Sequence, residues 1–190
     1  MKKTFNALII AAVLIAAAVL PGCGIRRDMM KRYYPISYVE EIKTAADRYG
    51  LDRTLVAAVV KTESGFRLDA VSQDGAVGLM QVLPSTAEWI AFRRGEEYRD
   101  GMLEEPEQNL DYGCWLLRFL LDRYGGNVKY ALIAYNAGFG RLDEWLKTLV
   151  DENGELTEIP YGETRAYVSR VLEYAEKYGE VYAEELGKTE

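Results

Sequence analysis

Helix start and stop signals recur along this chain and leave little room for a sheet between them. Asp52 stands before an apolar-periodic run that reaches Ser64 and Gly65. Pro84 opens a segment that Gly95 closes after about Arg94, and Pro106 opens one that runs to Tyr124 ahead of Gly125-Gly126. Asn127 opens another through about Asn136. Asp and Asn cap helices because their side chains accept from the first unpaired backbone N–H groups. Proline suits the first helical position, where its missing N–H costs nothing, and glycine suits the residue past the end. Ser37 with Glu40 has capping-box spacing for a helix that stops at Gly50. A further segment runs from about Gly140 to Val150. The last helix starts near Glu163 and puts Val168, Val171, Leu172, Ala175 and Tyr178 on one stripe. No segment alternates convincingly between polar and apolar residues. The loop from Phe66 to Val77 has room for a small β hairpin at most. The predicted fold is mainly α.

The N-terminus has a different character. Lys2 and Lys3 precede an apolar run from Ala7 to Leu20, the pattern of an export signal and short for a membrane span. Leu20-Pro21-Gly22-Cys23 follows, and resembles the lipobox of bacterial lipoproteins, in which the cysteine is acylated. Two other readings stay open: an uncleaved membrane helix reaching Ile25, and plain secretion. All three export the rest of the chain. The organisation read from this is a signal peptide with lipobox or a membrane anchor over 1–23, a tether over 24–36, a helical domain over 37–182 and a tail over 183–190. Cys114 lies on a helical stripe with Leu110, Leu117 and Leu121 and reads as a core thiol.

Composition narrows the chemistry. The chain has no histidine, which removes Ser-His-Asp and Cys-His catalysis and any zinc site built on histidine. No metal or other cofactor is expected. A formal charge of -7 argues against a nucleic-acid partner.

One acid stands out. Val56, Val59, Val60 and Glu63 fall at i, i+3, i+4 and i+7, so Glu63 shares the apolar face of its helix. It also sits in the last turn, at the negative end of the helix dipole. Both effects favour the neutral carboxyl and predict a raised pKa, which a general acid needs near neutral pH. A glycine-broken loop with Gly65, Gly75 and Gly78 follows, suited to a groove beside the acid, though equally an ordinary turn. Tyr135-Asn136-Ala137-Gly138 ends a later helix with an aromatic, an amide and a glycine, which reads either as a sugar-binding corner or as a plain helix terminus.

Glu63-Ser64, Gly78-Leu79-Met80-Gln81, Ala134-Tyr135-Asn136-Ala137-Gly138 and Ile159-Pro160-Tyr161-Gly162-Glu163-Thr164-Arg165-Ala166-Tyr167-Val168 occur in this order, with Pro106-Glu107-Gln108-Asn109 between them. Together they resemble the soluble lytic transglycosylase family, peptidoglycan-cleaving enzymes with a goose-lysozyme-like domain, here as a membrane-anchored or lipoprotein member. The resemblance implies cleavage of the MurNAc-β-1,4-GlcNAc bond, with Glu63 acting first as acid and then as base. The MurNAc C6 hydroxyl closes on C1 and leaves a 1,6-anhydro end. It further implies that Ser72, Met80, Gln81, Tyr135, Asn136 and Tyr167 bind substrate or orient the acid, while the lipobox resemblance makes Cys23 the expected lipidation site. The expected partners are peptidoglycan strands and, through the N-terminus, a membrane; the expected state is a monomer. Two other functions stand beside this one, a hydrolytic muramidase on the same fold and a noncatalytic glycan-binding protein of the envelope. Asp69 and Asp74 are the nearest possible second acids and read as solvated loop residues.

Overall fold

The computed structural model describes residues 27–187. Cys23, the lipobox and the export or anchor segment lie outside them. The chain divides into two compact units, one up to Pro35 and one from Ile36. In the first, residues 27–33 are helical. No helix among the described residues is long and apolar enough to cross a membrane.

The second unit holds helices α1 (Val39–Arg48), α2 (Arg53–Glu63), α3 (Pro84–Arg94), α4 (Pro106–Arg123), α5 (Val128–Ala137), α6 (Phe139–Thr148) and α7 (Gly162–Val181), with a 3-10 turn at Met102–Glu104. Among the described residues there is no named strand. Isolated antiparallel bridges pair Val77 with Val71 and Val82, and Val150 with Leu156. The capping signals at Asp52, Pro84, Pro106 and Asn127 all act as expected. The Asp52 carboxylate accepts from Thr54 N–H at 2.7 Å and Leu55 N–H at 3.1 Å, and Asn127 accepts from Tyr130 N–H at 3.1 Å.

Three local expectations are corrected. The Ser37 capping box does not form: α1 starts from Tyr38, which is left-handed at φ 58 and gives no side-chain cap. The sixth helix starts at Phe139, because Gly138 serves as its N-cap. In α7, Leu172 is 44% exposed and the buried stripe is Thr164, Tyr167, Val168, Val171, Tyr178 and Val181. The chain past Tyr182 continues the packing. Leu186 is fully buried, and its carbonyl accepts from Arg53 Nη1 at 2.6 Å.

Helix α2 is the centre of the domain. Every residue from Leu55 to Val60 is buried, so it is apolar around its whole circumference, the mark of a core helix. Its most extensive packing is against α7, and it also meets α1. On the other side α4 carries Leu110, Cys114, Leu117 and Leu121, all buried, against α1 and α5. Complete burial pushes the Cys114 thiol far up, so it is inert. The charged group Asp111 ties three helices together. It accepts from Arg48 on α1, Arg94 on α3 at 2.6 Å, and the Tyr49 hydroxyl at 2.9 Å. Burial alone would raise its pKa, but these donors outweigh it and hold the carboxyl below its ordinary value.

The loop between α2 and α3 is fixed by one buried amide. Asn109 accepts from Met80 N–H at 2.8 Å and donates to the carbonyls of Val77 at 2.9 Å and Leu103 at 2.8 Å. Gly78 passes directly beside it at φ +79, where a Cβ would lie 2.1 Å from Asn109 Nδ2. Gly95 also has positive φ, +70, but open space around it. Gly78→Ala is therefore expected to lose about 2–4 kcal/mol, from clash and backbone strain together. Gly95→Ala, with strain alone, is expected to lose about 1 kcal/mol. Urea denaturation of the two variants checks this; equal losses would show that the close approach to Asn109 is not what requires glycine.

Candidate active site

Four elements bring functional groups together at the end of α2. Glu63 ends the helix, and Tyr167 from α7 donates its hydroxyl to Glu63 Oε1 at 2.7 Å. Tyr135 from α5 donates to the Met80 carbonyl of the loop at 2.8 Å. Burial raises the Glu63 pKa to about 7, while the Tyr167 hydrogen bond and the Arg170 charge pull it down by less. Both phenols are held well above their ordinary value, first by burial and then by the charge of Glu63, so both remain neutral donors. The carboxyl that the helical spacing predicts to be neutral does occupy such a place.

Ser64, next to the acid, is buried. Its hydroxyl donates to the Leu79 carbonyl at 2.9 Å, pinning the loop to the end of α2. Gln81 takes a left-handed conformation, φ 48, and its amide donates to the carbonyls of Ala70 at 3.0 Å and Gly78 at 2.9 Å. These bonds hold a backbone conformation costing about 1 kcal/mol or more for a non-glycine residue.

The remaining expected residues are placed differently from one another. Asn136 is exposed at the end of α5, and its Oδ1 accepts from the Thr164 hydroxyl at 2.8 Å. Its amide N–H groups sit on the side chain's other arm. Ser72 is exposed, and its hydroxyl accepts from Ala76 N–H at 3.0 Å within the loop. Met80 is corrected: it was expected to line a groove, but its side chain is fully buried against Gly113 and Cys114. Its contribution to the site is the carbonyl that holds Tyr135. Asp69 and Asp74 are exposed. Sequence reasoning missed Thr164, which lies one helical turn before Tyr167, and Arg170, one turn after it. Both fall on the Tyr167 face of α7, and that spacing was the available signal.

Two cavities meet at Asn136. One, of about 420 Å³, is lined by Leu83, Thr86, Trp89, Tyr135, Asn136 and Phe139 among others. Its wall continues into an aromatic cluster in which Trp89 packs edge-on to Trp115 and Phe119 at 5.6 and 5.1 Å. The other, of about 610 Å³, is polar and includes Asn136, Arg141, Tyr161, Glu163 and Thr164.

With this geometry in place, comparison with known proteins decides the family. Residues 40–156 match the model of the transglycosylase SLT domain. The chain belongs to this family. It is 32% identical to the soluble lytic murein transglycosylase of Salmonella typhimurium over 80% of its own length and 24% of the relative's. It is 38% identical to the membrane-bound lytic murein transglycosylase C of Glaesserella parasuis, over 58% of its length and 32% of the relative's. Among solved structures it resembles an inactive mutant of the lytic transglycosylase Slt from Pseudomonas aeruginosa, with TM-score 0.72 and 33% identity over 79% of this chain and 25% of that one. It also resembles the 70 kDa soluble lytic transglycosylase of Escherichia coli, with TM-score 0.72 and 28% identity over 84% of this chain and 28% of that one. The chain thus spans about a quarter of the length of its soluble relatives. The SLT domain here is mainly α and lysozyme-like, as expected.

The Glu63 carboxyl ties stability to pH. Its folded pKa, about 7, lies above the ordinary 4.5. The stability of the neutral form is therefore fully present below pH 4.5 and is lost as pH rises through about 7. Glu63→Gln escapes this loss. Urea denaturation is expected to show equal stability of variant and wild type at about pH 4 and a gain in the variant of up to about 3 kcal/mol near pH 8. A difference that does not change with pH would show that burial does not hold the carboxyl neutral.

Proposed function

We propose that this SLT domain is a peptidoglycan lytic transglycosylase that cleaves the MurNAc-β-1,4-GlcNAc bond and leaves 1,6-anhydroMurNAc ends. The observation that carries the reading is one half-buried carboxyl, Glu63, with a pKa near neutrality and a phenol hydrogen-bonded to it. The murein transglycosylase names of relatives at about a third identity support it.

In this mechanism neutral Glu63 gives its proton to the oxygen of the leaving GlcNAc as the glycosidic bond breaks. The resulting carboxylate is stabilised by the Tyr167 hydroxyl and by Arg170, the same two groups that lower its pKa. It then takes the proton of the MurNAc C6 hydroxyl as that oxygen bonds to C1. The proton inventory closes, no water is consumed, and one carboxylate suffices where ordinary glycosidases use two. Burial around Glu63 favours attack by the substrate's own hydroxyl, because it limits access of competing water.

Asn136 offers its amide to the sugar beside the scissile bond, with Thr164 fixing its orientation through Oδ1. Tyr135, Gln81 and Ser72 serve substrate binding from the neighbouring wall and loop. The chain is proposed to act at the outer face of a membrane, held by a lipid on Cys23 or by its N-terminal apolar segment. The membrane-bound transglycosylases among the relatives support that placement.

Mass spectrometry of muropeptides released from isolated peptidoglycan by the full chain tests the reading. Products one water lighter than free reducing ends are expected. Reducing ends alone would replace it by a muramidase, and binding without release by a noncatalytic protein. Glu63→Gln is expected to lower turnover by at least about a thousandfold, near the scale of general acid–base catalysis. The pH profile gives a separate check. Activity in kcat/KM is expected to fall above about pH 7 as Glu63 ionises. Tyr167→Phe removes a donor that favours the carboxylate, so that limb moves to higher pH; a limb that stays in place would take Tyr167 out of the acid's surroundings.

A further inference from the structure

The corner at which α5 turns into α6 carries Asn136, and its own residues do little to hold it. Gly138, at φ 86, is at once the C-cap of α5 and the N-cap of α6, and α6 has no side-chain cap. Nothing stands within 4 Å of the place a Cβ on Gly138 would take, so packing does not fix the turn there either.

What grips the corner comes from the end of α4. Tyr124, the C-cap of that helix, donates its hydroxyl to Asp143 Oδ1 at 2.9 Å, and the same hydroxyl lies 3.2 Å from the Phe139 carbonyl. Arg123 donates from Nη2 to Asp143 Oδ2, and its guanidinium carbon sits 5.3 Å from the centre of the Phe139 ring. Phe139 also meets Trp89 at 6.1 Å and Phe119 at 6.2 Å. The first residue of α6 is thus held by its carbonyl and by its ring, and both donors are fixed through the Asp143 carboxylate. Burial would raise the Asp143 pKa, but the hydrogen bonds from Arg123 and Tyr124 outweigh it and keep the carboxyl below its ordinary value. Burial and the Asp143 acceptor push the Tyr124 phenol up to about 12. The clamp therefore keeps one charge state through the neutral range. A half-exposed ion pair adds little to stability. This one joins two helices and ends on residue 139, three positions from Asn136, so its effect is on position.

We propose that Asp143, with Tyr124 and Arg123, is a positioning residue: the clamp fixes residues 136–139 from outside the groove, and so fixes where Asn136 meets the sugar. The proposal rests on the transglycosylase reading and adds residues that touch no substrate. Thr164 orients the Asn136 amide through Oδ1, and the clamp holds the backbone that carries it. Without the clamp the chain still turns at Gly138, but over a range of angles, and binding must then order the corner at a cost in affinity.

Kinetics of the full chain on isolated peptidoglycan strands tests this. Asp143→Asn keeps the shape and loses the charge, and is expected to lower kcat/KM about tenfold, the scale of one hydrogen bond to a charged group. Tyr124→Phe removes the other arm, is expected to do the same, and carries the test if Asp143→Asn does not fold. In an Asn136→Ala background either change is expected to cost less than about twofold, because the group that the clamp positions is gone. Equal losses in the two backgrounds would overturn the proposal. The limb near pH 7 set by Glu63 is expected to stay in place, and a limb that moves would overturn it too, by showing that Asp143 acts on the acid. Asp122→Asn removes an acid paired with Arg118 on the same helix and is expected to keep wild-type kcat/KM. A loss there as large as that of Asp143→Asn would assign the effect to surface charge and overturn the clamp. Calorimetric binding of an N-acetylglucosamine tetramer needs no turnover. If wild type releases nothing from the strands, the transglycosylase reading fails, and the tetramer still decides the clamp. A loss of affinity in Asp143→Asn that vanishes in the Asn136→Ala background supports it, and an unchanged affinity overturns it.

Discussion

A carboxylic acid at the end of a helix whose middle, Leu55 to Val60, is wholly buried is the constraint around which this domain is arranged. Raising the Glu63 pKa from 4.5 to about 7 corresponds to about 3 kcal/mol against the ionised form. Val56, Val59 and Val60 on the same helix are fully buried, and each contributes about 1.5–3 kcal/mol by leaving water. The apolar packing of α2 therefore outweighs the strain of the acid at its end. The packing that keeps α2 in the core also keeps Glu63 neutral. The partner helix α7 supplies the correction, because it carries both the phenol that binds Glu63 and the arginine whose charge reaches it. Burial alone would make a carboxyl too basic to part with its proton readily. Tyr167 and Arg170 bring it back toward neutrality, where one group can serve as acid and then as base.

The loop beside the acid is held by polar contacts in place of a sheet. It takes only isolated bridges, so its backbone groups need other partners. Asn109 satisfies two of them, Gln81 two and Ser64 one. Asn109 stands on the first turns of α4, itself fixed to α1 and α3 through Asp111. Loop position is thus referred to the rigid helices, and the Met80 carbonyl that holds Tyr135 inherits that rigidity. This explains why Met80 is a core residue: its side chain anchors the loop by filling the space over Gly113, and its backbone does the positioning.

Much of this was legible in the sequence, for reasons that differ by element. Helices with Asp, Asn or Pro at their starts were readable because a cap is a local interaction, made within three residues of chain. The spacing of Val56, Val59, Val60 and Glu63 was readable because helical geometry fixes a face without knowledge of what covers it. Tyr38 in place of Ser37 was not readable, since a left-handed tyrosine pays its strain through contacts made elsewhere in the fold. Leu172 misled because an apolar stripe on a long helix can be wider than the surface its neighbours cover. Met80 and Gln81 are adjacent in one motif, and whether a motif residue faces a groove or the core depends on loop dihedrals that no periodicity encodes. Thr164 and Arg170 could be placed on the Tyr167 face of α7 by their spacing, but their partners, Asn136 and Glu63, stand on other helices and that spacing does not name them.

The two cavities flanking Asn136 differ in character, which would give a bound strand a direction. One is walled by aromatic and aliphatic side chains, which suit the apolar faces of sugar rings. The other is walled by charged and hydroxyl groups, Asp74, Arg141, Glu163 and Thr164 among them. A symmetric groove would bind a repeating glycan equally well in either sense and in several registers. Unequal halves remove that degeneracy, because a strand shifted by one sugar or reversed would set charge against the aromatic wall, at the desolvation cost of an unpaired polar group. In the proposed mechanism register would matter more than in a hydrolase, since the nucleophile would be part of the substrate. A C6 hydroxyl would be useful there only if the MurNAc that bears it were the sugar next to Glu63, and geometric misplacement by about an ångström costs on the order of a hundredfold in rate. In the proposed mechanism the cavities at Asn136 would select which sugar is presented, and Glu63 would act only on that sugar.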